Sequence, residues 1–238
     1  MWKRAAVRFS VVMSAALVLH SDGAAQSSGG ATPAQPGAGQ LRAAVSRVRS
    51  GRIAVPTNYD ALTPEQQAYV RGILAGPRGD ISAPLAVMLV SPGLGEHAQR
   101  AMAYARFSGR EGFGSVPPKL NELAILMVAK HWSANYVWNA HHNYAVMVGL
   151  PREIVDAIHA GRRPPRMDRD VEAVYTFVNE LLSTRRVGDA TLAAARAVLG
   201  GDRGVVDLVG TMGMYQLTAM MTVVDQSPLP EGVKPFFD

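Results

Sequence analysis

The sequence predicts an all-α protein, and three observations carry that prediction. Apolar residues recur at helical spacing from Pro64 to Val224. Proline and glycine stand where such segments would start and stop. Strand patterns are scarce, with no βαβ rhythm and no glycine-rich phosphate loop following a strand.

The elements follow in order. Thr63 and Pro64 read as an N-cap and first helical residue, with Tyr69, Val70, Ile73 and Leu74 on one face and a stop at Gly76-Pro77. A short apolar helix is expected over 85–90, ended by Ser91-Pro92-Gly93. Residues 94–108 continue at helical spacing, with Leu94, Ala98, Met102, Tyr104 and Ala105 expected to face inward. Three glycines make 109–115 a loop. Pro117-Pro118 opens the most apolar helix, 119–132, striped by Leu120, Leu123, Met127 and Val128. The next helix runs over 134–148 and is closed by Gly149. Pro151 starts another, carrying Ile154, Val155 and Ile158 to Gly161. Asp168 or Asp170 can cap a helix bearing Val171, Val174, Tyr175, Val178 and Leu181, and Asp189 can cap 190–199. The stretch 205–224 is almost uncharged. Asp207 and Gln216 interrupt it, so it reads as a central or subunit-interface helix rather than a membrane span.

Four segments are expected. Residues 1–25 resemble an export signal: Lys3, Arg4 and Arg8 precede an eleven-residue apolar stretch, with Gly23, Ala24 and Ala25 before a cleavage point at Gln26. The other reading of that segment is an uncleaved anchor. Cleavage places the protein in the periplasm or outside the cell. Residues 26–54 are expected to be a flexible linker, 55–230 the helical domain and 231–238 a tail.

The full chain holds 24 basic and 19 acidic residues, a formal net charge of +5. Residues 1–25 carry three of the basic and one of the acidic, leaving 21 against 18, a net of +3. Arg42, Arg47, Arg49 and Arg52 are dense but lack interleaved aromatics, so no nucleic-acid partner is expected. Cysteine is absent, which excludes thiol nucleophiles, disulfides and thiolate metal sites. His131, His141 and His142 lack any metal-ligand spacing, so no metal is expected.

The chemistry concentrates between Glu122 and His142. Glu122 lies among apolar turn mates, where desolvation would raise its proton affinity; the plainer reading is an exposed Glu near a helix start. On the following helix Asn135, Trp138 and His142 are nearly aligned, with His141 flanking Trp138. If the two helices fold back on each other, Glu122 approaches His141, and such a pair can pass a proton. The plainer reading of His141 is a hydrogen-bonded core residue. Arg106, with Tyr104 before it, is a candidate carboxylate clamp or a solvated surface arginine.

The stretch PPKLNELAILMVAKHWSANYVWNAHHNYAVMVGLPREIVDAI, then VYTFVNELLSTRRVGDAT and MGMYQLTAM, resembles the carboxymuconolactone decarboxylase family, related to the alkyl hydroperoxide reductase D type. The likeness runs from Leu62 through Pro230. It implies an alkyl hydroperoxide reductase D-like helical bundle that forms a homo-oligomer, a trimer or hexamer. In the thiol-redox branch, a glutamate precedes a C-x-x-C-x-x-H motif. Here Asn135 and Trp138 stand at the cysteine positions, leading to His141, so peroxidase chemistry is excluded. The resemblance implies cofactor-free decarboxylation of a small carboxylated lactone. His141 would be the general acid and Glu122 its partner. Asn135 would bond the lactone oxygen, Tyr136 and Trp138 would wall the site, and His142 would also bind substrate. The alternatives are an isomerase or hydrolase acting on another small carbonyl compound, or a non-catalytic oligomeric small-molecule-binding protein. One enclosed pocket holding Glu122, Asn135 and His141 is expected.

Overall fold

The computed structural model describes residues 35–238, which form ten α-helices and one short 3-10 turn, with no strand among the described residues. The expected signal, 1–25, lies outside the described residues. Among the described residues no helix is long and apolar enough to cross a membrane.

Helix α5 (Pro118–His131) is the centre of the fold. Every residue from Leu120 to Ala129 is buried, so it is covered on all sides rather than along one stripe. It packs against α6 (Asn135–Met147), α7 (Arg152–His159), α8 (Arg169–Thr184) and α10 (Asp202–Asp225). A second apolar cluster joins α1 (Ala38–Ser46), α2 (Pro64–Ala75), α3 (Ala83–Met88) and α4 (Pro92–Arg106). Helix α9 (Asp189–Leu199) packs on α8 and α10. Asn121 ties the layers together: its Nδ2 donates to the Ala105 carbonyl at 3.0 Å, and its Oδ1 accepts from the Thr211 hydroxyl at 2.9 Å.

Several boundaries follow the expected physics. Thr63 and Gln66 form a reciprocal capping box with Pro64 at the first turn of α2. Gly200, in the left-handed region, terminates α9. Other expectations need correction. Ser91-Pro92-Gly93 does not merely end α3; Pro92 opens α4, where its missing N–H would have no helical partner anyway. Leu94 and Tyr104 are exposed on α4 rather than inward. The Tyr104 hydroxyl instead bonds Asp207, which also accepts from the Ser115 amide and hydroxyl at 2.7 Å. Asp189 is the first residue of α9, and Gly188 takes the N-cap position.

The largest correction concerns the expected linker, 26–54. Its described part from Ala38 is packed, because Leu41, Val45 and Val48 bury against Tyr69, Val70 and their neighbours. Asp225, at the end of α10, holds this segment. Its carboxylate accepts from the Gly51 amide at 3.0 Å and the Ile53 amide at 2.9 Å, and its carbonyl accepts from the Arg52 amide. A Cβ at Gly51 would collide with the Asp225 and Gln226 carbonyls, so the approach demands glycine. Burial pushes the Asp225 carboxyl up. The bonds from Gly51, Ile53 and Ser227 outweigh it and hold the group below the ordinary carboxylate range.

The tail, expected as 231–238, closes back on α6. Phe237 is buried, and its ring meets Trp138 at 5.2 Å and His159 at 5.2 Å, while the Lys130 ammonium lies 4.6 Å from its centre.

Candidate active site

The turn between α5 and α6 sets the site. Ser133 takes a left-handed conformation (φ 49), and the Ser133 and Ala134 amides satisfy the Lys130 and Ala129 carbonyls at the end of α5. The chain then re-enters a helix at Asn135, and α6 lies along α5. His141 is thereby brought to Glu122.

The Glu122 Oε2 accepts from His141 Nδ1 at 2.6 Å, and its Oε1 accepts from Arg106 Nη1 at 2.9 Å. Glu122 is 1% exposed and His141 5%. This pair was read from the sequence, against plainer readings of each residue. Arg106 reaches it from the end of α4, its guanidinium stacked 4.9 Å from the Tyr144 ring centre. Tyr215 of α10 sets its ring edge-on to His141 at 5.0 Å. Since Nδ1 is bonded to the carboxylate, Nε2 is the nitrogen left for chemistry.

Burial is the largest influence on His141 and holds it below the ordinary imidazole value of 6.5. Glu122 opposes this, and the positive charges of Arg106 and Arg78 reinforce it. His141 is therefore neutral at pH 7. Burial pushes the Tyr215 hydroxyl above its ordinary value, so it stays protonated.

His141 lines a cavity of about 180 Å³, with Arg78, Arg106, Tyr136 and Tyr215 around it. Leu85 and Met102 supply apolar wall. Arg78 comes from the connection between α2 and α3, and its guanidinium faces the Phe107 ring at 5.9 Å. Tyr136 is anchored by the Ala83 amide, which donates to its hydroxyl at 3.2 Å. The arrangement can move a proton through His141 Nε2, hold the imidazole in one tautomer through Glu122, and present positive charge to a small anion.

Of the residues singled out in the sequence, His141, Arg106 and Tyr136 line the cavity; Glu122, expected in the same pocket, does not line it and meets it only through its bonds to His141 and Arg106. Asn135, Trp138, His142 and Tyr104 do not line the cavity. Asn135 was expected to bond a substrate oxygen in the same pocket. Its Oδ1 instead accepts from the Phe236 and Phe237 amides at 2.6 and 2.9 Å, and its Nδ2 donates to the Phe237 carbonyl. Trp138 lies beneath Phe237, and His142 donates from Nδ1 to the Trp138 carbonyl at 3.0 Å with its ring against Phe236. The alignment of Asn135, Trp138 and His142 is real, but the protein's own tail occupies that face. Tyr104 bonds Asp207 on the exposed side of α4. Arg106 lines the cavity, yet its Nη1 is committed to Glu122, which compromises it as a free clamp.

Sequence reasoning missed Arg78 and Tyr215. Arg78 follows a helix stop with no local pattern to distinguish it. Tyr215 is one polar-tipped residue in an apolar helix, and only its neighbour His141 gives it meaning. Among the described residues, no group of three or more His, Asp or Glu side chains is arranged to hold a metal ion. Compared with known proteins, the chain matches no family model, and no curated protein matches it.

Proposed function

We propose that this cavity performs cofactor-free acid–base chemistry on a small carbonyl acid, with His141 moving the proton and Glu122 orienting it. The observation that carries this reading is the buried Glu122–His141 bond of 2.6 Å, with His141 in the wall of a partly open pocket. The reaction implied by the resemblance is decarboxylation of a carboxylated unsaturated lactone. The carbon–carboxylate bond breaks, its electron pair enters the conjugated carbonyl to give a dienolate, and CO2 leaves. The fraction of His141 that carries its second proton then protonates carbon and is reloaded from water. The Tyr215 hydroxyl is the donor available to the developing oxyanion.

A second reading has an observation of its own. A histidine held neutral by burial suits proton abstraction first, as in an isomerase, or activation of water, as in a lactone hydrolase. In an isomerase Nε2 takes a proton from a carbon beside a carbonyl and returns it to another carbon. A third reading leaves the cavity as a binding site without turnover.

The frame is read as an alkyl hydroperoxide reductase D-like bundle of the carboxymuconolactone decarboxylase family, exported by residues 1–25 and assembled as a trimer or hexamer. Support for assembly comes from α10, whose outer face exposes Val206, Val209, Met220 and Val224. Sedimentation tests that part. The activity is tested by offering 4-carboxymuconolactone to the protein and to Glu122→Gln and His141→Ala. No turnover by the unaltered protein defeats the decarboxylation reading. Turnover that survives both substitutions defeats the roles assigned to the pair.

A further inference from the structure

Among the described residues Arg78 is a cation without a counter-charge, placed at the wall of the His141 cavity. Its Nε is buried and finds no hydrogen-bond partner among the described residues. The titratable groups acting on it are Tyr215, Arg106 and Tyr69, none of them a carboxylate. A guanidinium does not shed its proton at ordinary pH, so burial cannot be relieved by neutralisation.

The other charges around the cavity leave this one uncompensated. Arg106 is paired with Glu122 at 2.9 Å and stacked on Tyr144. His141 spends its Nδ1 on the same carboxylate. Glu122 therefore already serves two partners, and the pocket carries one surplus positive charge at Arg78. An ion of opposite sign entering the cavity gains a charge-assisted, bidentate geometry that no side chain here provides. The cavity, at about 180 Å³, restricts such an ion to a small molecule.

We propose that Arg78 is the docking cation of this cavity and that its ligands are small organic acids, held by a carboxylate at Arg78 with the rest of the molecule facing His141. This rests on reading the cavity as a substrate site, and it moves the clamp from Arg106, where the sequence pointed, to Arg78.

The test uses 2-furoate and its uncharged counterpart 2-furamide, with binding followed by calorimetry on the full chain. The expected result is that furoate binds at least about tenfold more tightly than furamide, as one charge-assisted pair implies. Arg78→Gln abolishes that preference, and Arg78→Lys restores part of it. Equal binding of the two probes by the unaltered protein, or no binding of either, overturns the proposal. So does an Arg78→Gln variant that keeps the preference. Thermal unfolding of each variant checks that the fold persists, and the lysine variant retains a cation if glutamine proves disruptive. Turnover of 4-carboxymuconolactone is a separate measurement. Arg78-dependent furoate binding without turnover defeats the decarboxylation reading and leaves this proposal standing.

Discussion

Glu122 and His141 meet at 2.6 Å across the α5–α6 contact, and the same carboxylate holds Arg106 through its other oxygen. One side chain thus fixes an imidazole tautomer and neutralises a guanidinium. Glu122→Gln keeps the shape but removes the charge that stabilises an imidazolium and pairs Arg106. Turnover is expected to fall by roughly a hundredfold or more, the range of positioned acid–base groups. Steady-state kinetics at fixed pH measures this, and a change in KM alone speaks against it.

The pH dependence of turnover separates the two catalytic readings. Carbon protonation needs the imidazolium, so a decarboxylase of this design gains rate as pH falls through the depressed His141 value, below 6.5. Proton abstraction needs neutral Nε2, so an isomerase or hydrolase gains rate as pH rises through that value and then levels off. A profile of kcat against pH, taken from 8 downward past the point where the rate changes, decides the matter; a profile identical in His141→Ala removes both.

The same buried histidine makes the fold sensitive to acid. The unfolded chain binds a proton near pH 6.5, while the folded chain resists it. Stability is fully present above 6.5 and declines as pH falls below it toward the folded-state value. Asp225 adds to this at lower pH: its folded value is depressed, so its contribution holds above the ordinary carboxylate range and is lost as pH falls through the depressed value. Urea midpoints measured in steps from pH 8 to about pH 2 test the trend, and His141→Gln should flatten its upper part.

Asp225 also pins the segment after α1. Asp225→Ala leaves the Gly51 and Ile53 amides without their acceptor and frees residues 50–54. The cost is expected to be on the order of 3 kcal/mol, as for bonds made to a buried charge. Equilibrium unfolding gives the magnitude, and amide exchange at Gly51 and Ile53 should rise before that of α5.

The tail contact is worth a similar test. Phe237→Ala empties the space over Trp138 and weakens the hold of Asn135 on the chain end. A loss of about 2 kcal/mol is expected, below the roughly 3–5 kcal/mol usual for a buried aromatic because the tail can relax into solvent. Carboxypeptidase should then release the last residues much faster than from the unaltered protein; equal release shows that the clasp does not hold the tail.

Helices α2, α4, α5 and α8 were legible from one chain because caps, prolines and the 3.6-residue period are local properties. Glu122 and His141 were legible as a pair because a short turn between two apolar helices leaves few ways to pack them. Helix α1 was not legible. Its sequence is small and polar, and it is held by Leu41, Val45 and Val48 finding a distant surface. Asn135 and Trp138 were correctly placed on one face, but nothing local announced that Phe236 and Phe237, about a hundred residues later, would cover it.

The sequence by itself determined the helical class, the absence of thiol chemistry and the proton-transfer candidates, because these depend on residue identity and short-range spacing. Only the tertiary structure decided which polar groups share a cavity. Arg78, Arg106, His141 and Tyr215 come from separate segments of the chain, and their meeting depends on burial energies summed over the whole core. The same long-range packing turned Asn135 inward to the tail and left Arg78 with a charge to satisfy.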